Sequence, residues 1–245
     1  MTGDPGAEML EGFSSRRERG MPVGEAIGQS LPVAVGVMVS PLPVVAVVLM
    51  LLSGKARANA FAFVLTWFVA IALLTGVVAF LAGTSSGTEE QPATWVSVVK
   101  IVLGAGLLFL SVKNWRERPG EGEEPPAPTW MSAIDGFTPV KSAGLSVVLA
   151  DVNPKNLLLV LSGGAAIASA AGGSTSAKVT ATLVFAVVAS VGVAAPLVIY
   201  LALGDRAGAV LKGLRTWLVH NNTAIMAVLL LVLGAKMVGD GISGF

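Results

Sequence analysis

The sequence predicts an all-α membrane protein of six transmembrane helices, arranged as two inverted three-helix repeats, with the first helix of each repeat broken by proline. Three observations predict it. The chain is strongly apolar: 54% of its 245 residues are hydrophobic and 13% are charged, where a soluble domain carries about a quarter charged. Its mean hydropathy is +0.78. The apolar residues fall in six runs, near 24–53, 60–83, 95–112, 143–171, 179–203 and 219–239, each close to or above the roughly 20 residues that cross a bilayer as a helix. None alternates strictly, and a helix satisfies its own backbone in lipid without closing a barrel.

Residues 1–22 are polar, with Arg16, Arg17, Glu18 and Arg19 close together. They read as a mobile tail and not as a signal peptide, because no small-residue cleavage site follows a short apolar core. The loops carry the orientation signal. Lys55 and Arg57 follow the first run, Lys113, Arg116, Arg118 and Lys141 surround the middle of the chain, and Arg206, Lys212 and Arg215 follow the fifth run. The alternate loops are nearly bare: 84–94 holds Glu89 and Glu90, and 172–178 holds Lys178 alone. Basic loops stay in the cytoplasm, so both termini are expected outside the cytoplasmic membrane. Cysteines introduced singly into this cysteine-free chain test the orientation. A membrane-impermeant reagent applied to intact cells is expected to label position 89 and spare position 57, and the opposite pattern would reverse the topology.

The stretch RERPGEGEEPPAPTW, 116–130, is rich in Pro, Gly and Glu and reads as a flexible cytoplasmic linker. Taken as 113–138, it separates a first repeat, 23–112, from a second, 139–245. Three spans in each half make the second half enter the membrane from the opposite side, which is the arrangement of an inverted repeat. Val-Leu-Gly-Ala recurs in the third span of each half, at 102–105 and 232–235.

Each half opens on a run interrupted by a polar, proline-bearing cluster: Ser40-Pro41-Leu42-Pro43, and Asp151-Val152-Asn153-Pro154-Lys155-Asn156. Proline within a helix removes a hydrogen bond and clashes with the preceding turn, at about 3 kcal/mol. Pro41 and Pro43 should open a turn, and the carbonyls of Val37, Met38 and Val39 then need partners inside the protein or in a wet cavity. A plain kink is the alternative. In the second cluster Asn153 suits an N-cap and Pro154 a first helical turn. Asp151 and Lys155, four apart, could pair, or Asp151 could cap the helix that starts near Pro154. The cluster is either a polar helix start at the cytoplasmic edge or a helix N-terminus within the membrane, where its amides and Lys155 would face an anionic group. A charge at mid-membrane costs roughly 2.5–3.5 kcal/mol on insertion scales.

The substrate-binding candidates are therefore Ser40, Pro41, Pro43, Asp151, Asn153, Pro154, Lys155 and Asn156, with Lys100 in the third span as a further polar residue that can also snorkel to the interface. Lys236 reads the same way. Thr66 and Ser111 can bond back to their own helices. The tryptophans, Trp67 among them, fit interfacial belts, and Gly104, Gly106, Gly163, Gly164 and Gly192 fit close helix contacts. His220 could carry a proton or sit at an interface. No cysteine and a single histidine exclude thiol chemistry and a multi-histidine metal site in one protomer. No acid–base constellation or nucleotide-binding motif emerges. Neither enzyme activity nor a cofactor is expected, and the net charge of +1 suggests no nucleic acid.

Asn153-Pro154-Lys155, the Ser40-Pro41-Leu42-Pro43 break and the third span from Lys100 to Arg116 resemble the lysine exporter (LysE) superfamily. Within it, 40–67 is similar to the actinobacterial GAP family, associated with addressing glycolipids such as sulfolipids to the cell surface. The resemblance covers the spans of both halves but not the tail or the 116–130 linker. It implies a transporter or transport accessory for envelope glycolipids, working among membrane lipids as a possible homo-oligomer or beside lipid-synthesis machinery. A small-solute exporter, for amino acids or cations, is the alternative, and a scaffold recruiting enzymes through the linker is a third.

Overall fold

In the computed structural model of the protein, residues 5–82, 94–116 and 133–243 are described. They hold helices and no strand. The helices are α1 (Pro5–Met38), α2 (Pro41–Leu51), α3 (Ala56–Ala82), α4 (Thr94–Arg116), α5 (Pro139–Val147), α6 (Pro154–Ala171), α7 (Thr175–Leu203) and α8 (Ala207–Ile242). A π-helical segment, Val148–Val152, joins α5 to the residue before α6, and single 3-10 turns precede α5 and α8. Glu89, Glu90 and nearly all of the 116–130 linker lie outside the described residues.

Three helices, α3, α7 and α8, are each long and apolar enough to cross a membrane. Two further candidates are bent pairs: Pro22–Met38 with Pro41–Leu51, at 52°, and Pro139–Val152 with Pro154–Ala171, at 66°. The described residues thus hold three to five candidate spans. Both bends fall at the two proline clusters. The third apolar run forms α4, 23 residues long. The residues 207–218, read above as part of a basic loop, are helical: α8 is 36 residues long, about 54 Å. Its first turns are amphipathic, burying Ala207, Leu211 and Leu218 while Lys212 and Arg215 stay exposed. Charges at helical spacing look like loop charges when only their number is read.

The chain forms two compact units, each drawing on both halves of the sequence. The first comprises Met1–Val39, Phe63–Ser86 and Ala143–Val191. Here α1 lies along α6, close enough that a Cβ at Gly36 would stand 3.4 Å from Leu159 Cδ1. Within this unit α3 buries Phe63, Trp67, Ile71, Thr75 and Ala79, and exposes Leu65, Val69, Leu73, Val77 and Leu81. Both stripes run at helical spacing and both are largely apolar, so composition hides a division that packing reveals. Trp67 is therefore not an interfacial belt residue. It is fully buried, stacks on Phe63 with centroids 6.0 Å apart, and donates to the Ala189 carbonyl at 3.4 Å.

The second unit comprises Ser40–Ala62, Gly87–Ser142 and Gly192–Phe245. Its α4 and α8 run in close contact, and α2 packs on α8. Helix α2 is buried almost all round, from Pro43 to Val48 and at Met50 and Leu51. Ser111 does not bond back to its own helix. Its hydroxyl crosses from α4 to the Ala227 carbonyl of α8 at 2.7 Å. The two Val-Leu-Gly-Ala stretches meet here. A Cβ at Gly104 would lie 2.9 Å from the Gly234 carbonyl oxygen, and one at Gly234 would lie 2.8 Å from that of Gly104. Gly163 and Gly164 of the first unit are equally tight, against Phe185 and Val78. Gly106 has nothing within 4 Å, so its expected close contact is not there.

Candidate functional site at the helix breaks

The first break is two residues wide, Val39 and Ser40. Helix α1 makes its last bond from Val39 N–H to the Val35 carbonyl, at 3.0 Å. Ser40 is extended, with φ −113° and ψ 103°, as a residue before proline prefers. Pro41 then starts α2. Pro41 and Pro43 do not open a turn inside a helix, because the helix restarts on them, and in a first turn the missing N–H groups have no intrahelical partner to lose. Single prolines within this fold do less: Pro32 and Pro196 lie inside α1 and α7 without ending them.

The second break forms differently. The π segment widens the last turn, so that Asn153 N–H reaches back five residues to the Val148 carbonyl, at 2.9 Å. The Leu149 carbonyl would next take the N–H of residue 154, which is proline and has none. The Asn156 side chain supplies the donor, with Nδ2 2.8 Å from that carbonyl. Asn153 is the N-cap of α6, as the sequence predicts: its Oδ1 accepts from Lys155 N–H at 3.1 Å.

Lys155 ties the breaks together. Its Nζ donates to the Val39 carbonyl at 3.2 Å, across 116 residues of sequence. In an uninterrupted helix that carbonyl would bond residue 43, again a proline. A side chain from the first turn of α6 thus satisfies one orphaned carbonyl at each break. Lys155 is only 8% exposed and Asn156 is buried. Leaving a buried polar group of this kind unpaired costs about 1–3 kcal/mol.

Asp151 stands apart. It lies in the π segment, half-buried, and its Oδ1 is fully buried without a hydrogen-bond partner. It does not cap α6, and the i,i+4 geometry for a pair with Lys155 is lost because the break turns the axis between them. π-helical turns are often kept for functional positions. Of the sequence candidates, Asp151, Asn153, Pro154, Lys155 and Asn156 lie together at the second break, and Lys155 alone of them reaches the Val39 carbonyl. Ser40, Pro41 and Pro43 follow Val39 along the chain and belong to the second unit. Lys100 lies on α4, and its side chain is outside those described. His220 is exposed, and Lys236 pairs with Asp240 on the surface of α8. Sequence reasoning named the Val39 carbonyl as one needing a partner but missed that Lys155 supplies it. No cluster of three or more His, Cys, Asp or Glu residues suited to a metal occurs among the described residues.

Chemically, the cluster offers a buried acceptor without a donor, a buried ammonium group and a helix N-terminus, all at a bend between apolar helices. Such a site can hold a polar group that arrives within an apolar environment. Long apolar helices and bent spans define a multi-pass helical membrane protein. Residues 31–243 match the family described as Sap, sulfolipid-1-addressing protein, and the chain belongs to that family. The matched region takes in both breaks. No curated protein and no solved structure matches the chain.

Proposed function

We propose that the protein moves an envelope glycolipid across the cytoplasmic membrane, or assists a partner that does, with the polar head group passing the two breaks and the acyl chains remaining in the bilayer. The observation that carries this reading is the Asp151 carboxylate oxygen, buried without a donor beside the α6 cap. A sugar head group is rich in hydroxyl donors that such an oxygen accepts, and the Lys155 ammonium suits a sulfate or another anionic substituent. Family membership favours a lipid. The likeness to the lysine exporter superfamily carries the alternative, efflux of a small solute.

The same reading includes α4 as a sixth crossing and the two halves as inverted repeats. In its support, each half has its first helix bent at a proline cluster. Gly104 and Gly234, at equivalent places in Val-Leu-Gly-Ala, approach each other reciprocally, as residues beside a two-fold axis do.

Proteoliposomes containing the purified full chain test the substrate class. One set carries a labelled anionic glycolipid in one leaflet, and the other is loaded with labelled lysine. Redistribution of the glycolipid beyond protein-free vesicles, with lysine retained, is the expected result. Lysine efflux with no lipid movement would replace the lipid reading with the solute one.

A further inference from the structure

Away from the breaks, the first unit buries a second lysine. Lys178, counted above as the one base of the 172–178 loop, lies one turn inside α7 and is 6% exposed. The Phe80 ring of α3 faces its Nζ at 5.7 Å from the centroid, close to the roughly 6 Å limit of a cation–π contact. Among the described residues that ring is its one partner, although an ammonium has three hydrogens to donate. Thr182, a turn further along, is buried. Its methyl group lies toward Gly76, 3.6 Å from where a Cβ would stand, while its Oγ1 is buried without a partner. Thr75, next to Gly76, is fully buried, and its hydroxyl has no partner either. A helical hydroxyl ordinarily returns to a carbonyl one turn back, as Ser190 of α7 does to Ala186 at 2.7 Å.

Lys178, Phe80, Thr182 and Gly76 share one seam, with Thr75 next to Gly76 on α3. The pairs Trp67–Ala189, Gly76–Thr182 and Phe80–Lys178 set α3 antiparallel to α7 in a single register. The ammonium stands at the rim of the seam and Thr182 a turn deeper. Phe80, Leu81, Val179 and Leu183 beside it are exposed and apolar, so the approach is from lipid.

We propose that this α3–α7 seam binds the oxyanion of an anionic lipid head group, Lys178 supplying the charge and the Thr182 and Thr75 hydroxyls the further hydrogen bonds. The acyl chains lie over the exposed apolar side chains on either side. The site is separate from the breaks: Lys155 lies in the first turn of α6, which is 18 residues long, about 27 Å, and Lys178 follows its far end. It does not depend on transport.

The test is lipid retention by the purified full chain in detergent, measured by native mass spectrometry with phosphatidylglycerol or phosphatidylcholine added. The wild type is expected to prefer phosphatidylglycerol. Lys178→Gln should reduce that preference about tenfold, the effect of one charge-assisted hydrogen bond, and Lys178→Arg should keep most of it. Thr182→Val should reduce it about threefold to fivefold, the effect of one neutral hydrogen bond, without lowering the melting temperature. Inorganic sulfate at millimolar concentration separates the sources: displacement of the lipid makes the site one for oxyanions in general, and no displacement shows that the chains are needed. Both results keep the site. Unchanged preference in Lys178→Gln and Thr182→Val would overturn it, and if Lys178→Gln does not fold, Thr182→Val and Thr75→Val decide. Transport enters neither arm, so the seam can fail while the break site stands, and the reverse.

Discussion

Asp151→Asn will reach the membrane in normal amount and melt close to the wild type, yet deliver at least about tenfold less envelope glycolipid to the cell surface, the scale of one charged hydrogen bond lost from binding. The two halves of this result have separate physical causes. Asparagine matches aspartate in shape, and Oδ1 of Asp151 makes no hydrogen bond in the fold, so stability has little to lose. The substitution removes the negative charge and puts a donating amide in place of an acceptor-only group. A head group arriving with hydroxyl donors loses the charged acceptor and meets a weaker, neutral one beside a competing donor. Adding Lys155→Gln should not restore delivery. If the two residues were only a structural ion pair, neutralising both would be milder than neutralising one. Here Lys155 also holds the Val39 carbonyl, so the double variant is expected to lose thermal stability as well as transport. The measurement compares membrane abundance, melting temperature and surface glycolipid in the same cells. Delivery at the wild-type level by Asp151→Asn, at equal abundance, would make the π segment a structural feature and move attention to the residues around Ser40.

Gly234→Leu will abolish accumulation of folded protein, and Gly234→Ala will already lower its stability by about 1–3 kcal/mol, the usual range for overpacking. At this position a Cβ would stand 2.8 Å from the Gly104 carbonyl oxygen and 2.9 Å from Leu108 Cγ. The first of these is backbone and cannot rotate away, so α4 and α8 must separate along the length of their contact. Gly104→Ala should behave alike, its Cβ standing 2.9 Å from the Gly234 carbonyl oxygen. Gly106→Ala and Gly239→Ala are the controls: nothing lies within 4 Å of either, and alanine is better than glycine in a helix by about 1 kcal/mol. Thermal unfolding in detergent, followed by tryptophan fluorescence, reads all four. Equal melting temperatures for Gly234→Ala and Gly106→Ala would contradict the close approach of the two helices.

The sequence by itself determined the helical class, the place of both breaks and the cap of α6. Each rests on covalent chemistry that acts locally. Proline lacks an N–H whatever surrounds it, so a helix restarting on Pro41 or Pro154 loses no bond there, and the Asn153 side chain reaches the Lys155 amide within a single turn. Long apolar runs had to be helical for an equally local reason, that every backbone group finds its partner four residues away. Only the tertiary structure decided which far residues complete those local defects. The orphaned carbonyl of Val39 is filled from 116 positions further along the chain, and nothing near Val39 names Lys155. The i,i+4 spacing of Asp151 and Lys155 suggested a pair, but the break and the π turn set them on different axes. Lys178 counted as a loop base, and the packing of α3 against α7 buried it. Likewise Gly104 and Gly106 are indistinguishable as letters, and the face each turns toward α8 separates them. Burial and partnership depend on which faces meet, and in helices apolar on every side the sequence carries little record of that choice.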